Sequence, residues 1–259
     1  MTTIIVKDAD FSSGDLINYA PPVSGATLCA FVGDTRDAAS LKNYGSGQNL
    51  SVYQGAPKAQ GDGFRRFGAF DSYKTDSYYT PEMTMLVVAR SVYPLTDQFG
   101  IVISSERDNS DGGRRGAGIV RLNNADYLRM YVNGTLNGAP TAPNTNTQVP
   151  GVTQANSAAF SSGTFAPGTT PNTVVLGAQR HSAPTVARSV VSDANPTLAP
   201  ASNESSFPLL VGSHYRPSGN FAPVDIGFVA VYPRVLTAEE IQKMYASVKR
   251  RFASFGVAI

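Results

Sequence analysis

The stretch FVAVYPRVLTAEEIQKMYASVKRRF, residues 228–252, changes character at a proline. Before Pro233 the apolar residues follow the pattern of a strand, and a proline ends such a strand because it cannot donate a ladder hydrogen bond. Thr237 and Glu240 then match the S/T-x-x-E capping box, which begins a helix. The stretch therefore predicts a strand followed by a helix over residues 238–252.

The predicted helix is amphipathic. Its apolar residues recur at helical spacing: Ile241, Met244, Tyr245, Val248 and Phe252. Its last turn is basic, as suits the helix dipole. Because the apolar face is narrow, we expect the helix to cover an edge or an end of a sheet rather than to bind a membrane.

The remainder of the chain has the pattern of many short strands. Apolar or alternating runs recur between turn residues, which is typical of a sandwich or a barrel. The runs are residues 3–6, 26–32, 49–53, 64–70, 83–92, 99–104, 116–122, 127–132, 172–180, 207–213 and 224–232. No strand-helix-strand rhythm is visible, so the sequence predicts an all-β fold and excludes a doubly wound one.

Two stretches between these runs are poor in large apolar residues. Residues 134–170 contain no charged residue, and residues 183–206 have a similar composition. Loops of this length are uncommon unless they are functional or disordered. We interpret both as insertions on one sandwich domain, residues 26–259, that follows an N-terminal attachment segment, residues 1–25.

The composition excludes several classes of partner. The chain has 259 residues, a net charge of +2 and 15% charged residues, which is well below the usual quarter. The arginine pairs at 65–66 and 114–115 are too short for a nucleic-acid face. No stretch is long enough to span a membrane. The single cysteine, Cys29, excludes an intramolecular disulfide.

Three motifs resemble the concanavalin A-like lectin/glucanase superfamily in its laminin-G-like branch. They are the run from Gly227 to Ile241, PLLVGS at 208–213 and YLRMYVNGTLNG at 127–138. The resemblance implies a jelly-roll β-sandwich with long loop insertions and one C-terminal helix. In overall style the chain also resembles tail-associated proteins of bacteriophages and prophages.

The resemblance implies that catalysis, where it exists, uses paired glutamates on one strand. The glutamates here are Glu82, Glu106, Glu204, Glu239 and Glu240, and no two stand four or five positions apart. The nucleophile elbow G-x-S-x-G is also missing. We therefore predict that the protein is not an enzyme.

Two aromatic segments are candidates for sugar binding, DSYKTDSYYTPE at 71–82 and SHYRPSGNF at 213–221. They supply rings to stack, a planar donor and an amide. The candidate residues are Tyr78, Tyr79, His214, Tyr215, Arg216 and Asn220. The alternatives are an exposed loop histidine and a tyrosine-rich subunit interface, because tyrosine is enriched in interfaces as well.

SERDNSDGGRRG at 105–116 offers hard oxygen ligands near glycines, as in a short calcium loop. The candidate Ca²⁺ ligands are Glu106, Asp108, Asn109 and Asp111. The expected bidentate glutamate is missing. The segment also matches a turn between two paired strands, since Asn, Asp and Gly form turns.

The first functional hypothesis is a non-enzymatic structural component of a phage-like virion, a tail, fibre or decoration protein. Its partners would be other virion proteins, copies of itself as a homo-oligomer, with a trimer favoured, and a host cell-surface glycan. Because the opening MTTIIVKDADFSSGD lacks the pattern of a signal peptide, we expect synthesis in a host cytoplasm. The alternative is a free calcium-dependent lectin, and a glycoside hydrolase or lyase is a third hypothesis.

Overall fold

A computed structural model describes residues 19–80, 82–92, 99–108, 114–122, 127–136, 139–141, 144–148, 158–167, 173–181, 186–192, 207–215 and 221–259. The strands are β1 (Leu28–Ala30), β2 (Ser51–Gln54), β3 (Lys58–Ala59), β4 (Arg65–Phe67), β5 (Ser72–Lys74), β6 (Met83–Ser91), β7 (Phe99–Ser104), β8 (Arg107–Asp108), β9 (Arg114–Leu122), β10 (Tyr127–Leu136), β11 (Ala139–Thr141), β12 (Asn144–Gln148), β13 (Ala159–Pro167), β14 (Thr173–Arg180), β15 (Val186–Ser192), β16 (Leu210–Val211) and β17 (Val224–Tyr232). The helices are α1 (Asp37–Ser40) and α2 (Ala238–Ala253).

The strands form two antiparallel sheets, which confirms the predicted all-β sandwich. Sheet one has eight strands in the order β15-β14-β13-β6-β17-β4-β3, with β1 also paired to β17. Sheet two has nine strands in the order β11-β10-β9-β7-β16-β5-β2, with β12 paired to β10 and β8 to β9. Side chains from both sheets meet in one buried core, which includes Met85 and Val229 of sheet one and Ile103 and Val211 of sheet two.

The two central strands of sheet one, β6 and β17, are buried on both faces. Met85 and Val229 face the core between the sheets. Leu86 and Phe228 belong to a second buried cluster that also contains residues of α2. This double burial explains why the sequence of β6 is a nearly continuous apolar run rather than an alternating one.

The helix α2 covers the outer face of sheet one, which corrects the prediction that it covers an edge or an end. Its buried residues pack with Phe228, Ala230 and Tyr232 of β17; they are Ile241, Met244, Val248 and Phe252. The predicted capping box is confirmed. The Glu240 backbone N–H donates to Thr237 Oγ1 at 3.2 Å, and the Thr237 N–H donates to Glu240 Oε2 at 2.9 Å.

A β-bulge at Gly227 reverses the alternation of side chains along β17. The register with β6 shifts between Ile226 and Phe228, so Ile226 faces the central core while Phe228 faces α2. A side chain at position 227 would overlap the Phe252 ring and the Gly63 carbonyl. The glycine therefore permits the close contact between the helix and the sheet.

Residues 134–170 are not a loop insertion alone, which corrects the sequence-based interpretation. They contain β11, β12 and β13, and β13 is hydrogen-bonded to both β6 and β14 within sheet one. Small residues suit β13 because a side chain at Gly163 would overlap Met130, which extends from sheet two. The stretch 183–206 likewise contains β15, which pairs with β14.

Of the predicted N-terminal attachment segment, residues 1–18 lie outside the described residues. The rest of the segment, from Tyr19 to Gly25, packs on the sandwich. Tyr19 contacts Phe31 edge-to-face with ring centroids 5.1 Å apart, and Val23 is buried in the cluster beneath α2.

Across the described ranges, neither helix combines the length and the apolar character that crossing a bilayer requires.

Candidate functional site

A group of aromatic residues lies beside the β2 end of sheet two. Tyr53 is on β2, Phe207 and Tyr215 lie on either side of β16, and Tyr78 follows β5. Arg107, on β8, stacks on Phe207. We call these five residues the tyrosine surface.

The rings of the tyrosine surface contact each other edge-to-face. The Tyr53 and Tyr215 ring centroids are 5.7 Å apart at 70°, and the Phe207 and Tyr215 centroids are 5.2 Å apart at 80°. The Arg107 Cζ lies 4.0 Å from the Phe207 ring centroid. Edge-to-face rings and an arginine over an aromatic face are both favourable arrangements. The surface is therefore a connected cluster with Tyr215 at its centre.

Hydrogen bonds fix the central ring. The Tyr215 backbone N–H donates to the Glu106 carbonyl at 2.9 Å, and its hydroxyl donates to the Pro208 carbonyl at 2.7 Å. Burial raises the pKa of Tyr215, and the neighbouring Tyr53 and Tyr78 raise that pKa further. The Tyr215 hydroxyl therefore stays protonated and keeps its role as a donor at any physiological pH.

The surface combines exposure with rigidity. Tyr53 is 48% exposed and its neighbour Val52 is 55% exposed, while Tyr78, Phe207, Tyr215 and Arg107 are partly exposed. Exposed aromatic faces provide apolar contact area with polar tips, and an arginine provides several donors in one plane. This combination can stack against a sugar ring and hydrogen-bond its substituents.

The structure brings together only part of the predicted sugar-binding set. Tyr78 and Tyr215 are both partly exposed, and Tyr78 is near enough to raise the pKa of Tyr215. Tyr79 is buried in the central core and His214 is buried with its ring 4.6 Å from that of Phe221. These two side chains therefore do not offer an exposed stacking face, which corrects their predicted role. Arg216 and Asn220 lie outside the described residues.

The predicted calcium ligands are described only in part. Glu106 is buried and Asp108, on β8, is exposed, whereas Asn109 and Asp111 lie outside the described residues. Within the described ranges, no group of three or more His, Cys, Asp or Glu side chains is arranged to hold a metal ion. The alternative, a turn between paired strands, agrees with the antiparallel pairing of β7 with β9. Calcium binding stays a prediction.

Three members of the tyrosine surface are not among the residues predicted from the sequence: Tyr53, Phe207 and Arg107. Tyr53 lies in a short run before the first long strand, and Phe207 begins the PLLVGS strand region. Tyr53 lies near Phe207 and Tyr215 because β2 and β16 pair with the two sides of the same strand, β5. Arg107 reaches them from β8 through its contact with Phe207. No local pattern predicts this contact, although the exposure expected for a tyrosine on a terminal strand is a weak signal.

A second arginine stacked on an aromatic ring lies on sheet one. The Arg90 Cζ is 4.1 Å from the Phe64 ring centroid. The Asp225 carboxylate is fully buried and accepts from Arg90 Nε at 3.0 Å and from Arg66 Nε at 2.8 Å. Arg90 also pairs with Asp62 at 2.7 Å. This cluster joins neighbouring strands, and its charges are internally balanced.

No protein-family model matches the chain, and no curated protein matches its sequence. Solved structures do share its fold. The receptor-binding domain of botulinum neurotoxin type G matches 87% of the chain and 52% of its own length, with a TM-score of 0.55 and 11% identity. The serotype D binding domain matches 86% of the chain and 51% of its own length, with a TM-score of 0.54 and 10% identity.

A third match is a mutant of Trypanosoma rangeli sialidase that displays trans-sialidase activity. It matches 90% of the chain and 34% of its own length, with a TM-score of 0.51 and 14% identity. The chain thus spans about half of the toxin domains and about a third of the sialidase. At these identities the matches concern architecture, and they agree with an all-β sandwich.

Proposed function

We propose that this protein is a non-enzymatic glycan-binding module and that the tyrosine surface is its binding site. The observation that carries the proposal is the contact of Tyr53, Phe207 and Arg107 around Tyr215 at a partly exposed position. Two of the structures that share the fold are a toxin binding domain and a toxin receptor-binding domain. They support the proposal because they are examples of this fold in domains that bind.

The proposal also names a biological setting for the module. A module of this kind serves as an adhesion or decoration component of a phage-like virion, acting with copies of itself and with other virion proteins. The resemblance to phage tail proteins supports this setting, as does a surface that is poor in charge. Neutral polar and aromatic surfaces suit packing between subunits.

A glycan array tests the binding function, with Tyr53→Ala as the test variant and Phe70→Ala as the control. The two aromatic residues are almost equally exposed, at 48% and 49%, and only Tyr53 belongs to the tyrosine surface. We expect the wild type to bind a defined subset of glycans, Tyr53→Ala to bind them at least tenfold more weakly, and Phe70→Ala to bind them normally. A wild-type protein that binds no glycan, or an equal loss in both variants, contradicts the proposal.

Light scattering and thermal unfolding, each with and without EDTA, distinguish a virion component from a free calcium-dependent lectin. A stable trimer whose mass ignores the chelator supports a virion component. A monomer whose stability falls when calcium is removed supports the alternative, a free calcium-dependent lectin. The same comparison tests the candidate ligands Glu106 and Asp108.

A further inference from the structure

The terminal strand of sheet two, β2, has an open edge. It pairs with β5 on one side, and among the described residues no strand pairs with its other side. All the residues of the strand, Ser51–Gln54, are exposed. An unpaired edge offers backbone donors and acceptors to another strand. We propose that β2 pairs with β2 of a second copy of this chain, antiparallel and about a two-fold axis.

The β2 edge lacks the charge and the proline that usually prevent strand addition. The terminal strand of sheet one, β3, is only two residues long and begins at Lys58, directly after Pro57. A very short strand, a lysine and a proline all discourage pairing. Around β2, in contrast, residues 43–57 contain no charged residue. The bulge at Tyr53 in the ladder with β5 twists the edge but does not repel a second copy.

The order of side chains in β2 is self-complementary. An antiparallel pair centred between Val52 and Tyr53 places Val52 of each copy opposite Tyr53 of the other, and Ser51 opposite Gln54. A β-branched residue opposite an aromatic one is a favourable cross-strand pair, and the polar residues meet each other. Val52 and Tyr53 are among the exposed apolar residues, so the pairing removes apolar surface from water in both copies. A second copy therefore matches this edge at every position.

The proposed interface is small. Stable protein interfaces bury about 1,200 to 2,000 Å² in total, and one short strand pair supplies only part of that area, so we expect a dissociation constant on the order of 100 µM. Because both copies use the same edge, the contact closes with two chains, and a trimer would need a different surface. The inference does not depend on glycan binding.

Sedimentation velocity from about 10 µM to about 500 µM tests the association, because this range spans the expected dissociation constant. We expect the wild-type mass to rise from one chain toward two. Val52→Lys adds a charge at the edge of each copy and is expected to weaken association at least about tenfold. Val235→Lys is the matched control and should associate like the wild type. Both valines are exposed, Val52 at 55% and Val235 at 40%, and Val235 lies between β17 and α2.

Cross-linking tests the two-fold register. Cys29 is fully buried and burial raises its pKa, so a cysteine introduced on β2 is the reactive one. A mixture of Ser51→Cys and Gln54→Cys should form a disulfide-linked dimer under mild oxidation, because the two positions face each other across the axis. Either variant alone should form little dimer, since its own two cysteines are offset by about 10 Å along the strands, beyond the reach of a disulfide.

A wild-type mass of one chain across the whole concentration range overturns the inference, and a mass of three chains does so as well. Association that survives Val52→Lys, or that falls equally in Val235→Lys, excludes β2 as the interface. Cross-links as abundant in either variant alone as in the mixture contradict the two-fold register. The proposed glycan-binding function is tested separately by the array, so either proposal can fail without the other.

Discussion

Two regions of the molecule each place an arginine over an aromatic ring, with different surroundings. On sheet one, Arg90 lies over Phe64 and pairs with the carboxylates of Asp225 and Asp62. Beside sheet two, Arg107 lies over Phe207 among tyrosines that are partly exposed. The first arrangement is internally neutral and largely buried, and it connects strands. The second lies within the partly exposed tyrosine surface, where we propose the glycan-binding site.

The comparison teaches that an arginine stacked on a ring does not by itself mark a binding site. The stacked Arg90 is paired with the carboxylates of Asp225 and Asp62 and joins neighbouring strands. Changes around Arg90 should therefore alter stability, and changes at the exposed rings of the tyrosine surface should alter binding. Four predictions are ordered here from the largest expected effect on stability to the smallest. Those on Asp225 and Tyr53 test this division, and those on Gly227 and His181 test the contact between α2 and sheet one.

Asp225→Ala is expected to lower the free energy of unfolding by about 3 to 5 kcal/mol. The substitution removes the fully buried carboxylate between Arg66 and Arg90 and leaves a mostly buried guanidinium without it, which is costly in a low-dielectric interior. Urea unfolding followed by circular dichroism measures the loss. The exposed Glu239→Gln variant is the control, with little change expected; a loss in Asp225→Ala as small as in this control would show that the buried cluster does not stabilise the fold.

Gly227→Ala is expected to destabilise the protein by about 1 to 3 kcal/mol. The added methyl group overlaps the Phe252 ring and the Gly63 carbonyl, so α2 must shift from sheet one. Because Phe252 is one of the two obstructing groups, Phe252→Leu in the same chain should relieve part of the strain. The double variant should then be more stable than the sum of the two single losses predicts, and strict additivity would argue against the contact.

Acid should loosen the contact between α2 and sheet one at His181. Its Nε2 is hydrogen-bonded to Ser162 Oγ at 3.0 Å, its Nδ1 to Gln242 Nε2 at 3.4 Å, and its ring contacts Phe160. Burial lowers the pKa of His181 to about 4 from an ordinary 6.5. Between these two values the unfolded chain binds the proton more readily than the folded protein. The stabilisation is therefore complete above pH 6.5 and is lost as the pH falls toward 4.

We expect this loss to amount to about 1 to 2 kcal/mol, because partial contact with solvent screens the cost of the charged ring. Thermal unfolding of the wild type and of His181→Gln across pH 4 to 7 isolates the contribution. The variant should show a flatter pH dependence over that interval. Parallel curves for the two proteins would assign the acid sensitivity to other groups.

Tyr53→Ala is expected to change the free energy of unfolding by less than about 0.5 kcal/mol, as is usual for exposed positions. Tyr53 is 48% exposed and lies on the terminal strand of sheet two. The same variant should lose glycan binding, so stability and binding separate in one protein. A large loss of stability would mean that the tyrosine surface is structural, like the Arg90 cluster.

The local signals in the sequence predicted a large part of the fold. The strand that ends at Pro233, the capping box at Thr237 and the helix after it all lie where the pattern placed them. These features depend on residues that are close in the chain, so their physical causes are visible in the sequence. The nine-residue strand β13 was missed because small residues interrupt its apolar pattern. At Gly163 the reason is Met130 of the facing sheet, which a side chain would overlap.

In the candidate site, too, the sequence did not predict which residues are exposed and which are buried. Tyr78 and Tyr215 were recognised as aromatic residues in turn-rich segments, but so were Tyr79 and His214, which the fold buries. Alternation along a strand indicates that neighbouring residues take opposite sides. It does not indicate which side a loop residue takes after the strand ends.

The sequence by itself determined that this protein is an all-β sandwich with a capped C-terminal helix, because strand periodicity, turn residues and caps act over a few positions. Only the tertiary structure decided that the helix covers a sheet face and that Tyr53, Phe207 and Arg107 meet around Tyr215. The reason is that sheet order joins segments that are far apart in the chain, and burial is decided by what the neighbouring strands bring.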